Sequence, residues 1–329
     1  MEIVRESAVL RRLECEMNIL ITGAWPDAKQ NIGQIEAMGY RTVFLPNEAD
    51  ALPCDPAWVE GVVCNGLFLH HSIECFPNLR FILLTSAGYD RVPMDRVKAR
   101  GIEIRNARGV YSAPMAEFAV ACVLQCYKQL PFFRENQKAH VWEKRRDLRE
   151  LGGKTVLIVG CGSVGTECAR RFRAFDACVL GVDLFPRTDE SFSRMLPLTA
   201  LDEALPAADV LILTVPLTDE TRGLIGAARL AAMKPDAVLV NISRGPVVDE
   251  AALTAHLQAT PAFSAALDVF EQEPLPAQSP LWTCPNALLT PHNSFVSSQN
   301  PDRLRRLIFE NLASIRSGCV TNGSLICYH

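Results

Sequence analysis

From Met17 onward the chain alternates short apolar runs with longer segments of helical periodicity. Asn18-Ile19-Leu20-Ile21-Thr22 reads as a strand that closes at Gly23. A helix-length segment follows, then Arg41-Thr42-Val43-Phe44-Leu45, stopped by Pro46. Further strands are expected at residues 61–64, 79–84 and 102–104, and strands that alternate with helices imply a parallel, doubly wound sheet. After Gly109 a long helical pattern runs over 112–130, with Pro114 tolerated in its first turn. A second alternating series begins at Lys154, with strands expected at 155–159, 178–182, 210–213, 237–240 and 263–267. These runs are apolar almost throughout, as strands covered on both faces must be. Residues 303–315 form an amphipathic helical pattern, whereas residues 1–16 fit neither series and read as an extension.

A chain of 329 residues is long for one core and suits two domains. The net charge of −4 is spread without any basic block, which excludes a nucleic-acid partner of the usual electrostatic kind. The densest charge run, residues 143–150, mixes both signs and reads as a solvated helix face before a domain boundary. The 12 cysteines are scattered, none spaced C-x-x-C, and Cys64, Cys122, Cys126 and Cys178 fall inside apolar elements. Reduced thiols are therefore expected, and with them a cytoplasmic location. Cys122 and Cys126 lie a helical turn apart without an accompanying histidine or carboxylate pattern, so they read as core and no metal site is inferred. The opening residues Glu2, Arg5 and Glu6 do not resemble a signal peptide, and the longest apolar stretch, 118–127, is too short to span a bilayer.

The strongest local motif is Gly160-Cys161-Gly162-Ser163-Val164-Gly165, directly after an expected strand and opening an expected helix. The first glycine permits the tight turn, the second lets backbone approach a pyrophosphate, and the third lets helix and strand pack closely. Backbone N–H groups at the helix start then face the phosphates, aided by the helix dipole. Asp183 ends the following strand, where an acid can accept bonds from both ribose hydroxyls and repel a 2′-phosphate; NAD is therefore favoured over NADP. Arg187, four residues on, is the group that could meet such a phosphate.

Three segments near the ends of later strands complete the set: Asn241-Ile242-Ser243-Arg244-Gly245, Asp268-Val269-Phe270-Glu271-Gln272-Glu273-Pro274, and Leu289-Thr290-Pro291-His292-Asn293. Ligands bind at the carboxyl ends of strands in doubly wound sheets. Arg, Glu and His emerging there suit reduction of a 2-oxo acid. Arginine grips the carboxylate with two N–H bonds and polarises the adjacent ketone. Histidine supplies the proton to oxygen as hydride reaches carbon. A neighbouring glutamate fixes the imidazole and favours its charged form.

With these motifs the sequence resembles the D-isomer-specific 2-hydroxyacid dehydrogenases over nearly its whole length from about Met17. The resemblance also rests on Val215-Pro216-Leu217-Thr218 with Thr221 and Gly223. It implies that Arg244, Glu273 and His292 are catalytic and that Asp268 is the acid on the nicotinamide side. It adds Val215, Ile242, Ser243, Arg244 and His292 to the glycine loop and Asp183 as cofactor neighbours. Ala87, Gly88 and Tyr89, within Ser86-Ala87-Gly88-Tyr89-Asp90, fall on a loop whose backbone N–H groups bind the substrate carboxylate alongside Arg244.

The implied fold is α/β, with a Rossmann NAD-binding domain (109–295) inserted into a flavodoxin-like substrate domain (1–108 and 296–329), and the site in the cleft between. The crossover is expected at Asn106-Ala107-Arg108-Gly109 through Ala116-Glu117. A homodimer through the nucleotide domain and a small 2-oxo or 2-hydroxy acid as partner follow from the same resemblance, and no membrane association is expected from the short apolar stretches. Asn65, Gly66, Leu67, Phe68, Tyr89 and Phe295 are candidate walls of the substrate pocket. Departures from the family pattern are Arg108 in place of a frequent proline, a bulky Tyr89, and Asn293-Ser294-Phe295 where a small, glycine-containing run is common. Some relatives are NAD-sensing corepressors with little turnover, and turnover is what separates that alternative from an enzyme.

Overall fold

The computed structural model describes residues 16–318, so the extension expected at 1–16 lies, Glu16 apart, outside the described residues. The chain divides into two compact units, Met1–Val110 with Ser298–His329, and Tyr111–Ser297.

In the first unit, strands β1 (Met17–Thr22), β2 (Tyr40–Leu45), β3 (Gly61–Cys64), β4 (Phe81–Leu84) and β5 (Glu103–Arg105) are all parallel. Their order is β2-β1-β3-β4-β5, the flavodoxin-like winding, with helices α1 (Ala28–Ala37) and α2 (Met94–Ala99) in the crossovers. Leu20, Val62, Ile82, Leu84, Val97 and Ile104 form one buried cluster. The last helix, Asn300–Ser317, returns to this unit. The Tyr40 hydroxyl donates to Leu312 O at 2.8 Å, the buried Arg105 donates to Asn311 Oδ1 at 3.1 Å, and Trp25 meets Phe309 edge-on.

The second unit opens with α3 (Ser112–Tyr127) and α4 (Leu130–Lys138). It continues through β6 (Thr155–Val159), α5 (Ser163–Arg173), β7 (Cys178–Asp183), β8 (Arg194–Pro197), α6 (Leu201–Ala204) and β9 (Val210–Leu213). It closes with α7 (Ala227–Ala232), β10 (Val238–Asn241), α8 (Glu250–Ala259), β11 (Ser264–Leu267) and β12 (Ala287–Leu289). The parallel 7-stranded sheet has the order β12-β11-β10-β9-β6-β7-β8, a Rossmann winding that reverses direction between β6 and β9. Side chains alternate between faces: Leu157, Leu211, Leu239 and Ala265 join one core, and Val156, Ile158, Val210, Ile212, Val238 and Val240 the other. This double burial is the reason that the strands read as unbroken apolar runs.

Three local expectations change. The helix expected over 112–130 ends at Tyr127; Gln129 takes a left-handed φ of 52°, and α4 starts anew at Leu130. Residues 143–150 carry no helix and lie inside the second unit, not at its boundary. Tertiary contacts fix them instead: Arg149 lies over the Tyr127 ring at 4.1 Å and donates to Asp236 O. Strands β8 and β12 had no counterpart in the expected pattern, because edge strands this short are covered on one side only. Among the described residues no helix is long and apolar enough to cross a membrane.

Candidate active site

The glycine loop sits at the carboxyl end of β6, the first strand of the second unit's winding. Gly160 adopts φ 95°, and a Cβ there would lie 2.8 Å from Thr214 C and Val215 N, so only glycine lets β6 turn this tightly against the β9 loop. Gly165 is buried beneath the turn, while Gly162 is exposed with open space in front of it. Ser163 and Val164 begin α5, whose first N–H groups face that space. Asp183 Oδ2 accepts from Cys161 N at 2.7 Å and its Oδ1 from Phe185 N at 3.0 Å. Arg187 holds the following peptide, donating to Cys161 O at 2.9 Å, and also binds Asp189 Oδ2 at 3.0 Å. Burial, with Asp183 adding to it, pushes the Cys161 thiol up to about 12, so it is an inert packing group. A bare glycine crest, a helix start and an acid at the neighbouring strand end fit a dinucleotide.

Arg244, Asp268, Glu273 and His292 lie on the loops that leave β10, β11 and β12. Asn241 shapes the first: its Oδ1 accepts from Ser243 N at 3.0 Å and Ser243 Oγ at 2.8 Å, and its Nδ2 donates to Arg244 O at 3.0 Å. Ile242 and Ser243 are buried by this arrangement, and Arg244 is left partly exposed, with Nη1 donating to Ser243 O at 2.8 Å. Gly245 then passes so near the next loop that an added Cβ would lie 1.9 Å from Phe270 C and O.

Asp268 is 1% exposed and accepts from Thr290 Oγ1 at 2.6 Å, Asn293 N at 2.8 Å and Ser294 N at 2.8 Å. His292 has a left-handed φ of 51°, and its N–H donates to Asp268 O at 2.8 Å and Thr290 O at 3.0 Å. Its Nδ1 lies 2.8 Å from Glu273 Oε2, and Glu273 Oε1 accepts from Phe270 N at 3.1 Å. Arginine, glutamate and histidine thus share the carboxyl edge of one sheet, with the last two in direct contact. Phe295 stands edge-on to the His292 ring and to Tyr111, contacts of ~0.5–1.5 kcal/mol in such pairs.

Residues 120–294 match the family described as D-isomer specific 2-hydroxyacid dehydrogenase, NAD binding domain. A glyoxylate reductase of Thermofilum pendens is 35% identical over 252 residues, 75% of this chain and 74% of that protein. The chain belongs to the D-isomer specific 2-hydroxyacid dehydrogenase family. A family protein from Aeromonas salmonicida subsp. salmonicida superposes with TM-score 0.82 at 31% identity, covering 94% of this chain and 98% of that one. The dehydrogenase from Xanthobacter autotrophicus, described in complex with NADPH and MES, gives TM-score 0.80 at 28% identity, covering 94% and 98%. This dehydrogenase is accordingly an oxidoreductase of 2-oxo and 2-hydroxy acids with a domain for a nicotinamide dinucleotide.

In the first unit of this dehydrogenase, the loop of Ala87, Gly88 and Tyr89 follows β4. The carbonyl groups of Ser86, Ala87 and Gly88 accept from Ala107 N, Asn106 Nδ2 and Ser86 Oγ. In a trans peptide the N–H points opposite its carbonyl, so the N–H edges of residues 87–89 are turned away from those partners. Tyr89 and Phe68 pack against the unit's core, and Leu67 is fully buried in it. Leu67 is therefore core and not a pocket wall, because the short turn Leu67–Leu69 directs its first side chain inward.

Sequence reasoning included Asn241, Gly245 and Thr290 in its motifs but assigned them no role; they shape the loops without reacting, through hydrogen bonds and a close approach that a linear sequence does not display. Gly245→Ala should cost about 1–3 kcal/mol of stability, because backbone atoms block the new methyl. Gly162→Ala, into open space at the N-cap of α5, should cost less, about 1 kcal/mol at most, from the poorer cap alone. Thermal unfolding of the two variants checks this, and equal losses would refute the close approach at Gly245.

Proposed function

We propose that this dehydrogenase interconverts a small 2-oxo acid and its D-2-hydroxy acid, with Arg244 binding the carboxylate, His292 as acid and base, and Glu273 orienting and charging His292. The observation that carries this reading is the His292–Glu273 contact of 2.8 Å on adjacent strand-end loops, on the sheet edge that also presents Arg244. A reduced nicotinamide, when bound, supplies the hydride for the ketone carbon. Arg244 holds the carboxylate through two N–H bonds and draws electron density from the ketone. Glu273 occupies Nδ1, so Nε2 is the nitrogen left to protonate the developing alkoxide. In oxidation Nε2 takes that proton back. Backbone N–H groups of Ala87, Gly88 and Tyr89 are the proposed second grip on the carboxylate, and Asn65, Gly66 and Phe295 the remaining pocket candidates.

NADH oxidation followed with glyoxylate, hydroxypyruvate, pyruvate and larger 2-oxo acids tests the reading. At least one should turn over, and Arg244→Lys should lower its kcat/KM by at least about tenfold, ~1.4 kcal/mol, because a point charge cannot replace the planar fork. Binding of NADH with negligible turnover across the panel would replace the enzyme with a regulatory protein of the corepressor kind. Unchanged turnover in Arg244→Lys would remove that residue from the site.

For the cofactor we infer NAD with the glycine loop, Asp183, Val215, Ile242, Ser243 and Asp268 as neighbours, Asp268 acting through the loop it shapes. Asp183 supports the choice as the acid at the end of β7. NADP is the second reading, favoured by the Arg187 guanidinium 2.9 Å from Cys161 O and by a relative described with NADPH. NADH should give the higher kcat/KM, and Asp183→Ala should narrow the gap; a better rate with NADPH, lost in Arg187→Ala, would reverse the assignment.

A homodimer through the second unit is part of the same proposal. Helix α4 buries none of its residues and Trp142 beyond it is 93% exposed, an apolar surface that supports this reading. Light scattering should report twice the chain mass and Trp142→Glu the single mass; a monomeric parent protein would end this reading. The free thiols, among them the buried Cys64, Cys122, Cys161 and Cys168, fit the cytoplasm, which cell fractionation tests.

A further inference from the structure

Phe295 stands at the one side chain whose orientation the proposed chemistry depends on most, His292. The backbone of His292 is fixed by its bonds to Asp268 O and Thr290 O, but its ring is tied at a single point, Nδ1 to Glu273 Oε2. The Cβ–Cγ attachment and one hydrogen bond still leave the ring a concerted rotation of its two side-chain torsions that keeps Nδ1 near Glu273. Such a swing carries Nε2 off its line to a substrate oxygen, and a misplacement of about 1 Å can cost ~100-fold in rate.

Phe295 supplies the second point. Its ring centroid lies 5.9 Å from that of His292, with the planes at 87°. It also packs against Tyr111, 5.8 Å away at 89°, the residue that leads into α3. Its backbone is held on both sides, by Ser294 N to Asp268 Oδ2 at 2.8 Å and Val296 N to Asn293 O at 3.1 Å. Phe295 is 40% exposed, so contacts at its edge, these among them, and not burial in a core hold it.

We propose that Phe295 is a positioning residue for His292: the perpendicular ring, packed also against Tyr111, limits the concerted side-chain rotation that would move Nε2. This rests on His292 being the proton donor. A residue that only lined the pocket would discriminate among substrates by size. A positioning residue acts on the proton step common to all of them.

Phe295→Ala should lower kcat for glyoxylate and for a branched 2-oxo acid by the same factor, about tenfold, with KM moving less than about twofold. Phe295→Tyr, which keeps the ring, should restore most of the rate. Because both supports act on one ring, losses in Phe295→Ala and Glu273→Gln should be non-additive when combined. In the ligand-free protein, the His292 ring-proton NMR signal, assigned by its loss in His292→Asn, should shift and broaden in Phe295→Ala. Unchanged melting temperature and NADH binding exclude misfolding of the variant. An unchanged kcat, a loss confined to one substrate, strict additivity, or an unmoved ring signal would each overturn the proposal. If the parent protein reduces no 2-oxo acid, the functional reading fails separately, and the NMR signal still decides whether Phe295 fixes the ring.

Discussion

Asp268 is a carboxylate taken almost wholly out of water, and the geometry of the reacting groups follows from how that charge is satisfied. An ion buried without partners costs on the order of several kcal/mol, so the chain must bring donors to it. The donors it brings are Thr290, Asn293 and Ser294, drawn from the loop that carries His292. His292 is consequently forced into a left-handed backbone conformation that non-glycine residues seldom adopt. The strain of that conformation is compensated by the hydrogen bonds around it, which also turn the imidazole toward Glu273.

The loops of β10 and β11 are brought together by contact of a different kind. Gly245 meets the backbone of Phe270 with no room for a side chain, and Phe270 N in turn binds the carboxylate of Glu273. Arginine and glutamate are thus placed through one missing methyl group and one backbone amide, neither of which takes part in chemistry. The dinucleotide loop follows the same logic at Gly160, where the space that a Cβ needs is filled by the backbone of Thr214 and Val215.

The central strands of both sheets were legible because burial on both faces removes polar residues from them: residues 155–159 and 210–213 announce themselves by composition alone. The edge strands β8 and β12 carry half-exposed residues, so their pattern matched a loop as well as a strand. Cys161 shows the limit of motif reading: its place in the glycine loop suggests chemistry, whereas burial fixes it as packing. Arg244, Glu273 and His292 stood out by type and by position after strands. Their supports did not, since Asn241 and Thr290 act through hydrogen bonds that a linear sequence does not display. Leu67 failed as a pocket residue for a related reason, because a three-residue turn has no periodicity to tell its inward side chain from its outward ones.

The last helix bears on the order in which the chain acquires structure. Leu312 and Asn311 receive bonds from Tyr40 and Arg105, and Phe309 packs against Trp25. Until the ribosome has delivered those residues, the first sheet waits with an open flank while a complete second unit, continuous from 111 to 297, is translated between its halves. At ~5–20 residues per second that interval lasts on the order of ten seconds or more. The unit begun first is therefore the one finished last, its flank around Trp25 uncovered until the final helix emerges.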